Sequence, residues 1–402
     1  MTPKTPPGQT QTIKKREFVL RKLVAEQATA VEAAQSLGLS ERQVRRMLKA
    51  YRQEGAEAIV HGNRGRTPEN AVSPDLRQTI RELAQTTYQG FNQCHLTEKL
   101  AEDHDIHVSR SSVSRILREG GIVSPRHHRR AKHRARRERR TAAGMLLQLD
   151  GSPHDWLQGR GPRLTLLGAI DDATSEVPAA LFRDEEDAHG YMLILRSIVD
   201  SHGIPLAIYS DRHSIFVVSK SAGETLDEQL AGRRNPTQVG RVLEDLSIEL
   251  ITAQSPQAKG RVERLWDTLQ DRLVSELRLA NARTLAEANA VLAAYLPKHN
   301  AKFACPAKGA TSAYRPVSAA LNLDEIFSFQ YDRTVANDNT VCLGQDIVQI
   351  QPNRERGSYA KARTRICVSL DGSIRVFFQG RCIAHQPCTD PNIVLRAQKQ
   401  HR

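Results

Sequence analysis

The chain is 402 residues long, enough for two to four domains, and its 58 Lys and Arg outnumber 45 Asp and Glu. The charge is segregated: residues 1–142 carry 28 basic against 15 acidic side chains, residues 143–300 carry 16 against 22, and residues 301–402 carry 14 against 8, so the flanks suit a polyanion partner. No 18-residue apolar run or charged-then-apolar leader occurs, which argues against a membrane span or signal peptide, and six cysteines without CxxC or paired spacing argue for free thiols in the cytoplasm and against a zinc site.

In chain order, Phe18, Leu20, Leu23 and Val24 give an apolar face to a helix ending near Gln27. Thr29 caps a short helix, VEAAQSL, and Gly38-Leu39-Ser40 makes a turn. The helix ERQVRRMLKAYRQEG follows; it buries Val44 and Leu48, with Tyr51 beside them, and exposes Arg42, Gln43, Arg45, Arg46 and Lys49. A helix, a Gly-containing turn and a basic second helix are the parts of a helix-turn-helix that reads duplex DNA. The alternative is a plain three-helix bundle with a solvated basic face. HGNRGRTP comes next, too Gly-rich and basic for a helix, where Arg64 and Arg66 either follow a minor groove or sit in a simple linker.

A second unit repeats the arrangement between Ser73 and Gly121. Leu76, Ile80 and Leu83 mark one helix and HLTEKLAEDH another. SRSSVSRILREGG is a second reading helix, capped by Ser109, with Val113, Ile116 and Leu117 inward and Arg110, Ser111, Ser112, Ser114 and Arg115 outward. Residues 126–140 then hold nine Lys or Arg in fifteen positions. Such a run cannot bury a core, but on a phosphate backbone it adds affinity by counterion release. Arg129, Arg130, Arg136 and Arg137 are its expected phosphate contacts.

From Gly144 the pattern becomes α/β. MLLQLD, PRLTLLGAID and VPAALFR are three strands, HGYMLILRSIVDSHG an amphipathic helix, PLAIYSD a fourth strand and SIELITA a fifth. A short helix is expected after Asn235-Pro236, and a long one opened by Ser255-Pro256. Asp150 ends the first strand, Asp211 ends the fourth, and Glu263 lies on the long helix. Carboxylates at strand ends leave the sheet edge and can converge in a cleft, where their repulsion calls for a hard divalent cation, Mg²⁺ or Mn²⁺, held by oxygen ligands. Two such ions about 3.5–4 Å apart clamp the attacking and leaving oxygens of a phosphoryl transfer.

Strand, helix and acid follow the ribonuclease-H-like order. Together with QLDGSPHDWLQGRGP, LLGAIDDATSEV, IYSDRHSIF and SPQAKGRVERLWDTLQDRL, this makes residues 17–300 resemble the DDE transposases and retroviral-type integrases. The nearest likeness is to insertion-sequence transposases of the ISNCY or IS481-like kind. The resemblance implies that Asp150, Asp211 and Glu263 are the catalytic acids and metal ligands, with two ions per site. Asp211 and Glu263 are 52 positions apart, a longer interval than the retroviral-type core has, and Glu249 in the fifth strand is the rival third acid. Asp171 and Asp172 read as turn-forming and core-supporting, His154 and Asp155 as capping or surface residues. Lys259, one turn before Glu263, would hold DNA beside the metal, and Trp266 and Leu269 would pack the helix on the sheet.

After a linker around Pro297–Pro316, short alternating strands with Asn, Gly and Asp-Gly turns suggest a small antiparallel β-barrel, for DNA contact or oligomerisation. The expected organisation is a helix-turn-helix domain over 1–65, a second over 66–124, a basic linker over 125–142, an integrase-type core over 143–300 and a β domain over 301–402. Such a protein binds the terminal inverted repeats of a mobile element in a bacterial nucleoid. It acts there as a dimer or larger homo-oligomer on double-stranded DNA, cutting 3′ ends and joining them to target DNA. The alternative is a DNA-binding regulator with an inactive core.

Overall fold

The computed structural model of the chain describes residues 7–59, 69, 71–123, 125, 138–211, 213–218, 229–230, 234–252, 260–352, 356–388, 390 and 394–397. They form two compact units, residues 1–77 and 78–402.

In the first unit, α1 (Pro7–Val24), α2 (Ala30–Leu37) and α3 (Glu41–Glu54) enclose Val19, Leu20, Leu23, Ala33, Ala34 and Val44, and a short 3₁₀ turn (Gly55–Ile59) adds Ile59. Local chemistry sets the helix starts. Thr29 and Glu32 form a reciprocal capping box on α2, and the Ser40 hydroxyl accepts from the Gln43 amide to open α3. Between these helices Gly38 takes φ +66°, where a side chain would be strained. The expected apolar face of α1 is corrected at two positions. Phe18 and Val24 are exposed, because the inward stripe is Val19, Leu20 and Leu23; the Phe18 ring lies under the Lys22 ammonium instead, 5.1 Å away.

α4 (Pro74–Gln85) crosses the boundary at residue 77, and α5 (Gln93–His104) and α6 (Arg110–Glu119) follow in the second unit, capped by Asn92 before α5 and by Ser109 before α6. Five strands follow: β1 (Leu147–His154), β2 (Leu164–Asp171), β3 (Ala179–Arg183), β4 (Ala207–Ser210) and β5 (Glu249–Thr252). The sheet order is β3-β2-β1-β4-β5. The first three strands are antiparallel, whereas β4 runs parallel to β1 and β5 parallel to β4. The two parallel steps are crossovers through α7 (Ala188–His202) and α8 (Gln238–Asp245), as parallel pairing requires. This is the ribonuclease-H-like arrangement expected from the sequence.

Both faces of the sheet are covered. Leu147, Leu149, Leu167 and Ala169 join α7 and α8 in one core; Leu164, Leu166 and Ile170 join α9 (Gly260–Leu279) and α10 (Leu285–Phe303) in another. Two-sided burial explains why β2 reads as the largely apolar run LTLLGAI, with no alternation of polar residues.

The C-terminal part comprises α11 (Leu323–Ile326), β6 (Ser328–Thr334), β7 (Thr340–Leu343), β8 (Asp346–Gln349), β9 (Arg363–Ser369), β10 (Ile374–Phe378) and β11 (Arg381–Gln386). They make an antiparallel sheet of order β11-β10-β9-β6 and a separate β7–β8 hairpin. Among the described residues these ladders do not close into the expected barrel, since β7 and β8 pair only with each other. Phe327, Phe329 and Val376 belong to the same core as Tyr191, Ile194 and Leu195 of α7. The contact is also polar: Gln238 donates to the Gln330 carbonyl at 2.8 Å and accepts from its amide at 3.0 Å. All six cysteines are free thiols, and among the described residues no helix is long and apolar enough to cross a membrane.

Candidate active site

Asp150 was expected at a strand end. Instead β1 continues to His154 in its ladder with β2, and it is the parallel pairing with β4 that stops short, at Leu147↔Ile208 and Gln148↔Tyr209. Continued two residues past its last pair, that register would bring Asp150 opposite Asp211, one residue past the end of β4. Both acids are half-buried. Asp211 turns the chain there, its Oδ1 accepting from the His213 amide at 3.1 Å.

The even positions of β1 face α9 and are bonded to it at regular intervals. The Val262 amide donates to Gln148 Oε1 at 3.3 Å, Trp266 Nε1 to Asp150 Oδ2 at 3.0 Å, and Gln270 Nε2 to Ser152 Oγ at 3.0 Å. Four helical residues rise about 6 Å and two strand residues about 6.6 Å, so helix and strand stay in step. Gly168 is the cross-strand neighbour of Asp150, and a Cβ there would lie 3.1 Å from Trp266 Cη2. The missing side chain admits the indole to the acid. The sequence reading gave Trp266 only a packing role; a glycine inside an apolar strand was the available signal of a close approach.

Glu263 is exposed in the first turn of α9, three residues before Trp266 and so on the same side of the helix. Among the described residues, no group of three His, Cys, Asp or Glu stands where it could hold a metal ion. The chemistry of the candidate donors, two aspartate carboxylates, would suit a hard divalent cation. Their shared negative field is felt by Tyr191 on α7. Burial raises its hydroxyl far above the usual phenol range, and Glu186, Asp150 and Asp211 raise it further. Tyr191 donates to Glu186 at 2.6 Å, and Glu186 fills the space over Gly151.

Other expected residues have simpler duties. Asp171 accepts from the Gly144, Ala173 and Thr174 amides at 2.7, 2.8 and 3.0 Å, a turn former. Asp155 caps a turn through the Gly159 amide at 3.0 Å, and the His154 ring stands edge-on to Trp156. Glu249 begins β5 and is exposed. On the helices expected to read DNA, Arg42, Gln43, Arg45 and Arg46 of α3 and Arg110 and Ser111 of α6 are exposed. Arg45 pairs with Glu41 at 3.2 Å, and Ser111 Oγ is 2.8 Å from the cap hydroxyl of Ser109. Arg64, Arg66, Arg129, Arg130, Arg136, Arg137 and Lys259 lie outside the described residues.

The sequence reading also missed a junction between α5 and α9. Arg272 grips Glu98 with two bonds, 2.7 and 3.0 Å, and Lys302 joins the pair. Glu276 takes His95 at 2.8 Å and Lys99 at 3.1 Å, while Asn92 donates to Asp271. Burial pushes the Glu276 carboxyl up, but His95 and Lys99 outweigh it and hold it below the usual range. The helix next to α6 is thereby seated on the helix that carries Glu263.

Residues 18–78 match the family described as winged helix-turn helix. The chain is 34% identical over 369 residues, 92% of its length and 79% of the relative's, to y4bF of Sinorhizobium fredii, which bears a transposase name. It is also 34% identical over 396 aligned residues, 90% of this chain and 83% of the relative, to the transposase for insertion sequence IS1202 of Streptococcus pneumoniae. Among solved structures, a chain of the simian T-cell lymphotropic virus intasome in complex with PP2A regulatory subunit B56 gamma is similar at 14% identity and TM-score 0.31, over 77% of this chain and 100% of that one.

Proposed function

The chain belongs to the insertion-sequence transposases, and from that premise we propose that Asp150, Asp211 and Glu263 form its catalytic centre. The observation that supports the proposal is the β1–β4 register, Leu147↔Ile208 and Gln148↔Tyr209, which if continued would bring Asp150 opposite Asp211, while Trp266 of α9 bonds Asp150. In the proposed reaction, water attacks the phosphodiester at each end of the mobile element and the 3′-oxygen leaves as a hydroxyl. That hydroxyl then attacks target DNA, displacing another 3′-oxygen, with no covalent protein–DNA intermediate. Divalent metal, Mg²⁺ or Mn²⁺ and two ions per site, would supply charge neutralisation and nucleophile activation when held by the three acids. The protein's own part is orientation: Trp266 fixes one oxygen of Asp150, and Glu186 with Tyr191 fills the opposite face of the strand.

The inverted repeats would be read by Arg42, Gln43, Arg45 and Arg46 of α3 and by Arg110 and Ser111 of α6. Arg64 and Arg66 would bridge them, Arg129, Arg130, Arg136 and Arg137 would grip phosphates, and Lys259 would hold DNA at the cut site. Two ends must be joined together, so a dimer or larger homo-oligomer assembles on DNA in the bacterial nucleoid. The C-terminal strands, as a closed small barrel or an open sheet, would add a basic DNA or subunit contact.

The test is cleavage and joining of end oligonucleotides with Mg²⁺. Asp150→Asn, Asp211→Asn and Glu263→Gln each remove a negative oxygen and keep the shape, so each abolishes both steps while end binding persists. One observation favours the second reading, a DNA-binding regulator with an inactive core: Glu263 is not grouped with the two aspartates among the described residues. A wild-type chain that binds ends without cutting them establishes that alternative. Activity in Glu263→Gln but not in Glu249→Gln reassigns the third acid.

A further inference from the structure

Asp172 is buried completely, and three segments converge on its carboxylate. Oδ1 accepts from Arg261 Nε at 2.7 Å and from Gln148 Nε2 at 3.0 Å; Oδ2 accepts from the Arg140 amide at 2.9 Å. Gln148 in turn accepts from the Val262 amide, and Arg139 reaches the Ala173 carbonyl at 2.9 Å and the Ser175 hydroxyl at 2.8 Å. One carboxylate therefore joins the strand of Asp150, the first turn of α9 and the last residues of the basic run.

We infer that Asp172 is a positioning residue for the transposition chemistry, setting through Arg261 the register in which α9 delivers Glu263 to the edge of β1. Arg261 is the second residue of α9 and Glu263 the fourth. The Val262–Gln148, Trp266–Asp150 and Gln270–Ser152 bonds then repeat the same register along the helix. A buried ion pair is weak support for stability, since apolar residues of similar shape often replace one without loss; fixing a unique register is its best-attested use. Arg261 and Asp172, 8% and 0% exposed, are such a pair. The inference rests on the reading of Glu263 as a metal ligand.

The test uses the full chain in three variants: Asp172→Asn, Arg261→Lys, and Asp172→Asn combined with Arg261→Met. Amide exchange across residues 260–266, measured without metal, should quicken in both single variants while residues 270–279 stay protected. The Mn²⁺ concentration needed for half-maximal end cleavage should rise by about tenfold or more, with end-duplex affinity unchanged. The double variant removes both charges of the pair, so its thermal stability returns, but its high metal requirement remains. Recovery of the metal requirement together with stability would reduce Asp172 to a structural residue and overturn the inference. Exchange that rises evenly along α9, or local exchange with an unchanged metal requirement, overturns it equally. Normal cleavage by Glu263→Gln is failure of the site assignment alone, and the exchange pattern still decides whether Asp172 anchors the helix.

Discussion

At the scale of single residues, the Asp150–Trp266 bond shows how a polar contact depends on an absent side chain. Trp266 reaches Asp150 because Gly168 stands opposite it in β2. Trp266→Phe keeps the ring and deletes the donor. It should cost about 1.5–3 kcal/mol, the range for a hydrogen bond to a charged group, and slow cleavage without changing end binding; equilibrium denaturation and an end-cleavage assay measure the two effects. His299 gives a pH signature. Burial, then the Arg272 charge, lower its imidazole from the ordinary value to about 4. A group whose folded pKa is depressed binds fewer protons folded than unfolded, so stability is complete above the unfolded value and falls with pH between about 6.5 and 4. Denaturant titrations of the chain should lose up to roughly 3 kcal/mol across that window, and His299→Gln should flatten the slope. The Glu276 and Glu98 carboxyls, partly buried but held down by cationic partners, lose their contribution only at lower pH, below about 4.3.

At the scale of elements, helix starts were the most legible feature. Thr29 and Ser109 cap the helices at the positions their sequence suggests, because a cap needs only residues three apart; Ser40, read as a turn residue, also caps α3. Direction around the helix was less legible in α1, where adjacent apolar residues offered two possible stripes and tertiary packing chose Val19, Leu20 and Leu23. The exposed faces of α3 and α6 carry a discriminating prediction. Losing a true base contact, by Arg46→Ala on α3 or Arg110→Ala on α6, should cost about 1–3 kcal/mol and relax preference at one base pair. Losing a phosphate contact weakens all sequences alike and lowers the salt slope by about one. Binding of end and random duplexes at several salt concentrations separates these outcomes. No effect from any α6 substitution would make the second reading helix structural.

At the scale of the whole molecule, residues 78–402 form one compact unit in which the C-terminal sheet shares a core with α7 and α8. The expected β domain is thus packed into the α/β layer as well as following it in sequence. Truncation after residue 322 would strip Phe327, Phe329 and Val376 from that core and leave Tyr191, Ile194 and Leu195 facing water. Loss of several large side chains, each worth about 1.5–3 kcal/mol when buried, should unfold or aggregate the α/β core. Calorimetry on the full chain should show residues 78–402 melting in a single transition; a shortened chain that melts normally would refute the shared core.

The sequence by itself determined the parts governed by short spacings: the caps, the strand and helix order, the basic runs, and the acids Asp150, Asp211 and Glu263 as candidates. Periodicity and capping act within a few residues, so they are written locally. Only the tertiary structure decided which distant groups meet. Trp266 and Asp150 lie 116 positions apart, Arg261 and Asp172 lie 89 apart, and His95 and Glu276 lie 181 apart. Each pairing depends on the register of one element against another, and a one-residue slip along a strand turns every side chain to the opposite face. That register is fixed by the packing of two complete cores, which no local stretch of the chain contains.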